Sequence, residues 1–153
     1  MAARSSLGGV YQIPSASMEP TLTPGDRVWV SHVAYDFKLP FMTTPLVHLR
    51  EPRRGEVIVF EDPRDPSRYL IKRLAGLPGD RVQVFEGSPQ AGGYRTVTVP
   101  PDHYYFLGDN RGNSADSRMW GFAHRNLLKG RARAVLWHWG PDAWAPRVEG
   151  KSL

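Results

Sequence analysis

The stretch Tyr69-Leu70-Ile71-Lys72-Arg73-Leu74, at positions 69–74, lies in one of seven short segments that decide the fold. All seven are rich in residues that favour strands, and glycine and proline recur between them as turn formers. They begin at Arg27, Glu56, Arg68, Arg81, Arg95, His103 and Ala132. Helical periodicity is confined to one short turn over residues 125–128, which Gly130 should end. We expect a mainly β domain with few short helices, whose antiparallel sheet is folded over or barrel-like.

Length and composition exclude several classes of protein. The 153 residues fit one domain, residues 1–153, and a hydrophobic content of 41% argues against disorder. Cysteine is absent, which excludes disulfides, thiolate metal sites and a thiol nucleophile. No apolar stretch approaches the roughly 20 residues that span a bilayer. The net charge of +5 does not predict nucleic-acid binding, because the arginines alternate with acidic residues instead of forming a stripe.

One lysine occupies an unusual position. Only four of the 20 basic residues are lysines, and Lys72 is the one that lies within an apolar run. If its side chain points inward, desolvation lowers the pKa of the ammonium, and a neutral amine can take the proton of a serine hydroxyl. The alternative is a surface lysine whose stem lies along the sheet. Arg73 should point to the opposite face and serve a structural purpose.

A serine-containing segment offers that hydroxyl. Residues 15–21 read Ser-Ala-Ser-Met-Glu-Pro-Thr, and prolines at positions 14 and 20 stiffen the backbone around them. Such rigidity suits a nucleophile held at a set distance from its base. A polar loop before the first strand is the alternative.

A third cluster, residues 108–121, combines turn formers with two aspartates and two arginines. Interleaved opposite charges of this kind predict a buried ion-pair network that fixes the loop. The alternative is a turn whose charges are solvated.

Other catalytic or ligand-binding patterns are missing from the sequence. None of the five histidines has a recognised spacing to a carboxylate, so a Ser-His-Asp triad is not predicted. Metal-binding signatures and phosphate-binding glycine loops are also absent. We therefore predict no metal and no cofactor.

Two apolar segments suggest contact with a membrane. One lies near residues 35–49 and the other near the C-terminus, where tryptophans cluster. Exposed aromatic residues beside basic ones favour the interface of an anionic bilayer, although core packing explains them equally well. The predicted membrane-surface residues are Phe37, Leu39, Phe41, Met42, Trp137 and Trp139.

Taken together, these clusters resemble bacterial type I signal peptidase, a membrane-bound serine peptidase. The shared motifs occur in order over about 120 residues, which makes the resemblance specific. They are Ile13-Pro14-Ser15-Ala16-Ser17-Met18-Glu19-Pro20-Thr21-Leu22 with Gly25-Asp26, then Arg54-Gly55-Glu56-Val57-Ile58-Val59-Phe60, then Tyr69 to Asp80, and finally Gly108 to Gly121 with Gly130-Arg131-Ala132.

The resemblance implies a role for each matching residue. Ser17 corresponds to the nucleophile and Lys72 to its general base. The hydroxyl of Ser15 and the backbone N–H of Ser17 correspond to the oxyanion hole. Ser114 corresponds to the serine that orients the lysine, and Asp116 with Arg118 corresponds to a supporting ion pair.

The sequence departs from the family pattern in three places. Gly112 replaces the usual aspartate, which should loosen one ion pair of the loop. The short connection over residues 81–103 predicts a β-hairpin in place of a larger second β-domain. The family's N-terminal membrane anchor is not recognisable, and we expect a chain that is soluble without it.

The function implied is cleavage of signal peptides from exported preproteins after small residues, in Ala-X-Ala-like sites, at the outer face of the plasma membrane. Preproteins and an anionic membrane surface are the expected partners. One alternative is a LexA-like self-cleaving Ser-Lys protease, which should carry a DNA-binding helix-turn-helix or a cleavable arm. A second alternative is a noncatalytic membrane-surface module, which should have lost Ser17 or Lys72.

Overall fold

A computed structural model describes residues 4–5, 8–37, 47–48, 50–86 and 92–138 of the chain. Within these residues the strands are β1 (Arg4–Ser5), β2 (Gly8–Gln12), β3 (Asp26–Ser31), β4 (Asp36–Phe37), β5 (Val47–His48), β6 (Val57–Asp62), β7 (Asp65–Gly76), β8 (Arg81–Glu86), β9 (Gly93–Thr98), β10 (His103–Leu107), β11 (Ala123–His124) and β12 (Leu128–His138). The helices are the four-residue α1 (Ser117–Trp120) and the 3-10 turns Ala16–Met18, His32–Ala34, Arg111–Asn113 and Arg125–Leu127.

Most strands belong to one antiparallel sheet. Its order is β1-β2-β3-β12-β6-β7-β10-β11, and the pairs β4-β5 and β8-β9 form two small sheets beside it. The predicted mainly β, antiparallel architecture with few short helices is confirmed. In the described part of the chain the large sheet runs from β1 to β11 and stays open instead of closing into a barrel.

The continuous apolar run in β6 is explained by burial on both faces of the sheet. Val57 and Val59 pack into one core cluster, together with Met18 beneath the serine segment. Ile58 and Phe60 point the other way and pack into a second cluster that contains Phe106. Because successive residues of a strand alternate between faces, a strand covered on both sides needs an apolar residue at every position.

Strand β12 begins earlier than the sequence predicts. The predicted turn is present as the 3-10 turn Arg125–Leu127, but it ends where β12 starts, at Leu128, and not at Gly130. Gly130 lies inside the strand, where a side chain would collide with the backbone carbonyl of Ser31. Close approach of two strands, and not termination of a helix, is therefore the reason for this glycine.

Strands β8 and β9, residues 81–86 and 93–98, pair antiparallel, with Arg81 opposite Thr98 and Glu86 opposite Gly93. None of the helices in the described ranges has the length and hydrophobicity needed to cross a bilayer.

Candidate active site

Ser17 lies in a tightly fixed 3-10 turn between β2 and β3. On one side of this turn, Ile13 exchanges backbone hydrogen bonds with Asp26 and Gly25, at 2.8 and 2.9 Å. Within and just after the turn, the buried side chains of Met18 and Leu22 pack into the first core cluster. The Ser17 side chain is 7% exposed, so its hydroxyl is held at the edge of the core and not in a mobile polar loop.

Lys72 approaches Ser17 from the sheet. It lies on β7, where it pairs with Ile58 of β6, and its side chain is only 4% exposed. Its Nζ lies 2.6 Å from the Oγ of Ser17, although the two residues are 55 positions apart in the sequence. The alternative of a surface lysine is thus excluded.

The surroundings of Lys72 favour its neutral form. Burial is the largest influence, and it lowers the pKa of the ammonium below its ordinary value. The negative charge of Asp116 opposes this shift, while the positive charge of Arg64 adds to it. The net effect is a lysine that gives up its proton more readily than a solvated one.

Ser15 completes a group of three polar side chains. Its Oγ lies 3.3 Å from the Oγ of Ser17, and its backbone is extended, with φ −140° and ψ 160°. These side chains open onto a cavity of about 260 Å³. The cavity is lined by Ser15, Ala16, Ser17, Arg64, Arg68, Leu70, Lys72, Asn113 and Ala115.

Asp116 is the centre of the loop over residues 108–121. Its carboxylate is fully buried and accepts two hydrogen bonds from the Arg118 guanidinium, both at 2.9 Å, and one from the backbone N–H of Gly108 at 3.0 Å. Burial alone would raise the pKa of this carboxyl, but the bonds from Arg118 and Gly108 hold it below its usual range. The predicted ion pair is present, and a loop with only solvated charges is excluded.

Ser114 does not make the hydrogen bond to Lys72 that the sequence predicts. Its Oγ lies close enough to Asp116 to influence the pKa of that carboxyl. It is nevertheless buried without a hydrogen-bond partner of ordinary geometry among the described residues. The Oγ lies where a Cβ on Gly108 would be, so Ser114 fills the space that this glycine leaves.

Two further loop residues attach the loop to the serine turn. The backbone N–H of Asn110 donates to the carbonyl oxygen of Ser17 at 3.0 Å, and its Nδ2 donates to the carbonyl oxygen of Ala16 at 3.1 Å. The Asp109 carboxylate accepts a hydrogen bond from the Thr21 hydroxyl at 2.6 Å. It also accepts two hydrogen bonds from the Arg73 guanidinium, at 2.8 and 2.7 Å. The sequence predicts a structural role for Arg73 but does not identify Asp109 as its partner. The interleaved aspartates and arginines were the only local signal.

With this geometry established, comparison with known proteins decides the family. A family model described as "Signal peptidase, peptidase S26" matches residues 1–91 and 87–137. The chain belongs to this family of signal peptidases.

Individual members of the signal peptidase family cover most of the chain. A probable signal peptidase I-2 from Synechocystis is 40% identical over 155 residues, which covers 88% of this chain and 65% of that protein. A signal peptidase I from Pseudomonas aeruginosa is 33% identical over 193 residues, which covers 91% of this chain and 68% of that protein. The chain therefore spans about two thirds of the length of these relatives.

A solved structure of a signal peptidase I from Enterococcus faecalis is also similar to the chain. It is 28% identical, with a TM-score of 0.44, over 54% of this chain and 97% of that one.

The departure of Gly112 from the signal peptidase pattern leaves the two main ion pairs of the loop in place. Gly112 is exposed, and a Cβ built there would meet no atom within 4 Å. Asp109 remains paired with Arg73, and Asp116 with Arg118.

Two other sequence predictions concern metals and the membrane. Within the described ranges, no group of three or more His, Asp or Glu side chains could hold a metal ion. Of the predicted membrane-surface residues, Phe37 and Trp137 contribute backbone to β4 and β12. The others lie outside the described residues: Leu39, Phe41, Met42 and Trp139.

Proposed function

We propose that this chain is the catalytic part of a serine endopeptidase that removes N-terminal signal peptides from exported preproteins with a Ser-Lys dyad. The observation that carries the proposal is the 2.6 Å separation between the Oγ of Ser17 and the Nζ of Lys72, both on nearly buried side chains. Membership of the signal peptidase family supports the substrate class.

In the first half of the reaction, neutral Lys72 acts as the general base. Its lone pair takes the hydroxyl proton of Ser17 while the Oγ forms a bond to the carbonyl carbon of the substrate. When the resulting tetrahedral intermediate collapses, the C–N bond breaks and Lys72 returns the proton to the leaving amine. The product is an ester between Ser17 and the signal peptide.

In the second half, water replaces the amine. Lys72 takes a proton from the attacking water, and the C–O bond to Ser17 breaks with return of that proton to the serine oxygen. The new carboxyl group of the released signal peptide gives up its proton to solvent at neutral pH, and the dyad is restored.

The oxyanion formed in each half needs hydrogen-bond donors. The Ser15 hydroxyl lies beside the Oγ of Ser17 at 3.3 Å, which suits it to this task. The backbone N–H of Ser17 is the second donor, because the first amides of a helical turn have no carbonyl partner within the turn. Each such donor typically contributes a factor of about 10²–10³ to the rate.

Preference for small residues at the first and third positions before the cut fits a cavity of about 260 Å³. The substrate would bind in extended form, paired as an added strand along the segment over residues 12–17 and β7. In the cell the site would face the outer side of the plasma membrane, where preproteins emerge, and an anionic membrane surface would be a second partner.

Two alternatives make different predictions. A LexA-like protease would use the same Ser17 and Lys72 to cut its own chain. A noncatalytic membrane-surface module would not need the paired serine and lysine, and this chain retains both.

The test is incubation of the chain with a purified preprotein that carries one Ala-X-Ala site, followed by mass determination of the products. We expect one cut directly after the second alanine. The Ser17→Ala variant, incubated in parallel, should leave the preprotein whole. Cleavage confined to the chain's own sequence would favour the self-cleaving alternative, and no cleavage of either would contradict a peptidase.

A further inference from the structure

The cavity beside Ser17 has a strongly one-sided charge. Among the described residues that line it, Arg64, Arg68 and Lys72 are basic and none is acidic. Lys72 has a place in the proposed reaction, but the two arginines do not. An arginine at the edge of a reaction site recognises carboxylate or phosphate groups better than any other residue.

Arg68 lies on the same face of β7 as the proposed base. Residues 68, 70 and 72 alternate along the strand, so their side chains share one side, and all three line the cavity. At about 3.3 Å per residue, the backbone of Arg68 lies roughly 13 Å from that of Lys72. A substrate extended along β7 would therefore meet Arg68 about four residues from its scissile bond.

Arg64 is already engaged by an acidic partner. Its Nε and Nη2 donate to the two oxygens of Asp62 at 2.9 and 2.8 Å, and Asp62 is only 1% exposed. The pair lies at the turn between β6 and β7. Arg64 is thus held in place by a carboxylate of the chain itself.

Arg68, in contrast, is exposed and makes no ion pair within the described part of the chain. The nearest carboxylates on its own hairpin have other partners. Asp62 is held by Arg64, and Asp65 accepts the backbone N–H and the hydroxyl of Ser67, at 3.0 and 2.6 Å. The positive charge of Arg68 contributes to lowering the pKa of both carboxyls, although Arg68 forms an ion pair with neither.

We infer that Arg68 is a specificity-determining residue, which favours preproteins that carry a carboxylate three to five residues from the scissile bond. The inference rests on the proposed function, because it concerns the substrate of the same cavity. A substrate side chain is the favoured ligand, since Arg68 shares its face of β7 with Lys72 and any chain that reaches Ser17 lies in this cavity.

The test uses a set of preproteins with the same Ala-X-Ala site. Each carries either Asp or Asn at one position, three to five residues before or after the cut, and a reference preprotein has neither. Because an exposed ion pair contributes modestly, we expect the Asp form at one position to have a kcat/KM about two- to fivefold above that of the Asn form. The advantage should shrink as salt is added.

Variants of the chain assign the effect to one residue. In Arg68→Gln the Asp and Asn forms should be cleaved equally, and in Arg68→Glu a Lys at that substrate position should become the better residue. Arg81→Gln is the matched control, because Arg81 is an exposed strand arginine that does not line the cavity. It should keep the preference for Asp.

The outcomes separate the inference from the proposed function. If the reference preprotein is cut but Asp and Asn forms never differ, or if the preference persists in Arg68→Gln, the role of Arg68 is refuted and the peptidase stands. If no preprotein is cut, the proposed function itself fails. If Arg68→Gln weakens sedimentation with phosphatidylglycerol vesicles while Asp and Asn forms remain equal, Arg68 binds lipid and the inference is overturned.

Discussion

The backbone N–H of Asn110 donates a hydrogen bond to the carbonyl oxygen of Ser17 across 3.0 Å. This bond joins the loop over residues 108–121 to the turn that carries the proposed nucleophile. The same loop contains the buried pair of Asp116 and Arg118. The loop that holds this ion pair is therefore attached directly to the serine turn, although the pair contributes no atom to the proposed reaction.

The same substitution should have a large effect at one glycine of this loop, Gly108, and no effect at another, Gly112. A Cβ on Gly108 would meet the carbonyl oxygen of Ser17 at 2.6 Å and the Cβ of Ser114 at 2.5 Å, whereas one on Gly112 would meet nothing. We expect Gly108→Ala to lower the free energy of unfolding by about 1–3 kcal/mol and to reduce preprotein cleavage at least tenfold. Gly112→Ala, measured by the same urea denaturation and cleavage assays, should change neither. Equal effects of the two substitutions would contradict the packing described for Gly108.

The proposed oxyanion hole predicts the kinetic effect of removing the Ser15 hydroxyl. Ser15→Ala should reduce kcat about 10²–10³-fold while KM stays within a few fold, because the bond forms only when charge develops on the substrate oxygen. Ser15→Thr keeps a hydroxyl and should retain more activity than Ser15→Ala. Steady-state kinetics on a peptide with an Ala-X-Ala site measures both. An unchanged kcat for Ser15→Ala would show that the Ser15 hydroxyl does not stabilise the oxyanion.

We expect the ionised Asp116 side chain to stabilise the folded protein, and the size of this contribution should depend on pH. Asp116→Asn leaves Arg118 without its charged partner, and we expect the free energy of unfolding to fall by about 2–3 kcal/mol near neutral pH. The pKa of this carboxyl is lowered in the folded protein, so its contribution is present above the pKa of the unfolded chain and is lost as the pH falls through the folded value. The difference from the unsubstituted chain should therefore disappear in acid.

Urea denaturation over a range of pH measures this difference. Glu86→Gln, at an exposed position of β8, is the control and should behave like the unsubstituted chain at every pH. A constant difference between Asp116→Asn and the unsubstituted chain down to low pH would show that charge is not the cause.

Local sequence patterns predicted the strands well because alternation and continuous burial leave a direct mark on residue type. The apolar run Val57–Phe60 is an example, since each face of β6 has its own core cluster. The start of β12 was missed because Leu128 to Arg131 alternates no apolar residues, and Gly130 marks a close approach to Ser31 from a separate strand. Such contacts between distant segments leave little local signal.

The candidate site was likewise predictable only in part from local sequence. The apolar neighbours of Lys72 left open whether its side chain is buried, and its contact with Ser17, 55 positions away, was indicated only by the family resemblance. The helix α1 has four residues, too few for a periodic pattern, and depends on Asp116 as its N-cap. Ser114 matched a family motif, and yet its hydroxyl makes no bond to Lys72 here.

The rate of cleavage should depend on the protonation of Lys72. Burial lowers the pKa of this lysine, so kcat/KM should rise with pH around a midpoint below the ordinary lysine pKa of about 10.4. The charge of Arg64 adds to the lowering. Arg64→Gln should accordingly move the rising limb to higher pH, while Arg81→Gln should leave it in place. A profile without a rising limb, or one centred on the ordinary lysine value, would contradict a neutral Lys72.

Preprotein cleavage by Lys72→Met, with Ser17 intact, tests the central claim most directly. Methionine fills a similar volume without an amine, so urea denaturation should show a folded protein that is at least as stable as the unsubstituted chain. Lys129→Met is the matched control, because Lys129 pairs with Glu61 and does not line the cavity. We predict that Lys72→Met loses cleavage by about 10⁴-fold or more while Lys129→Met retains it. A folded Lys72→Met protein that cleaves at a rate within tenfold of the unsubstituted chain would contradict the Ser-Lys dyad.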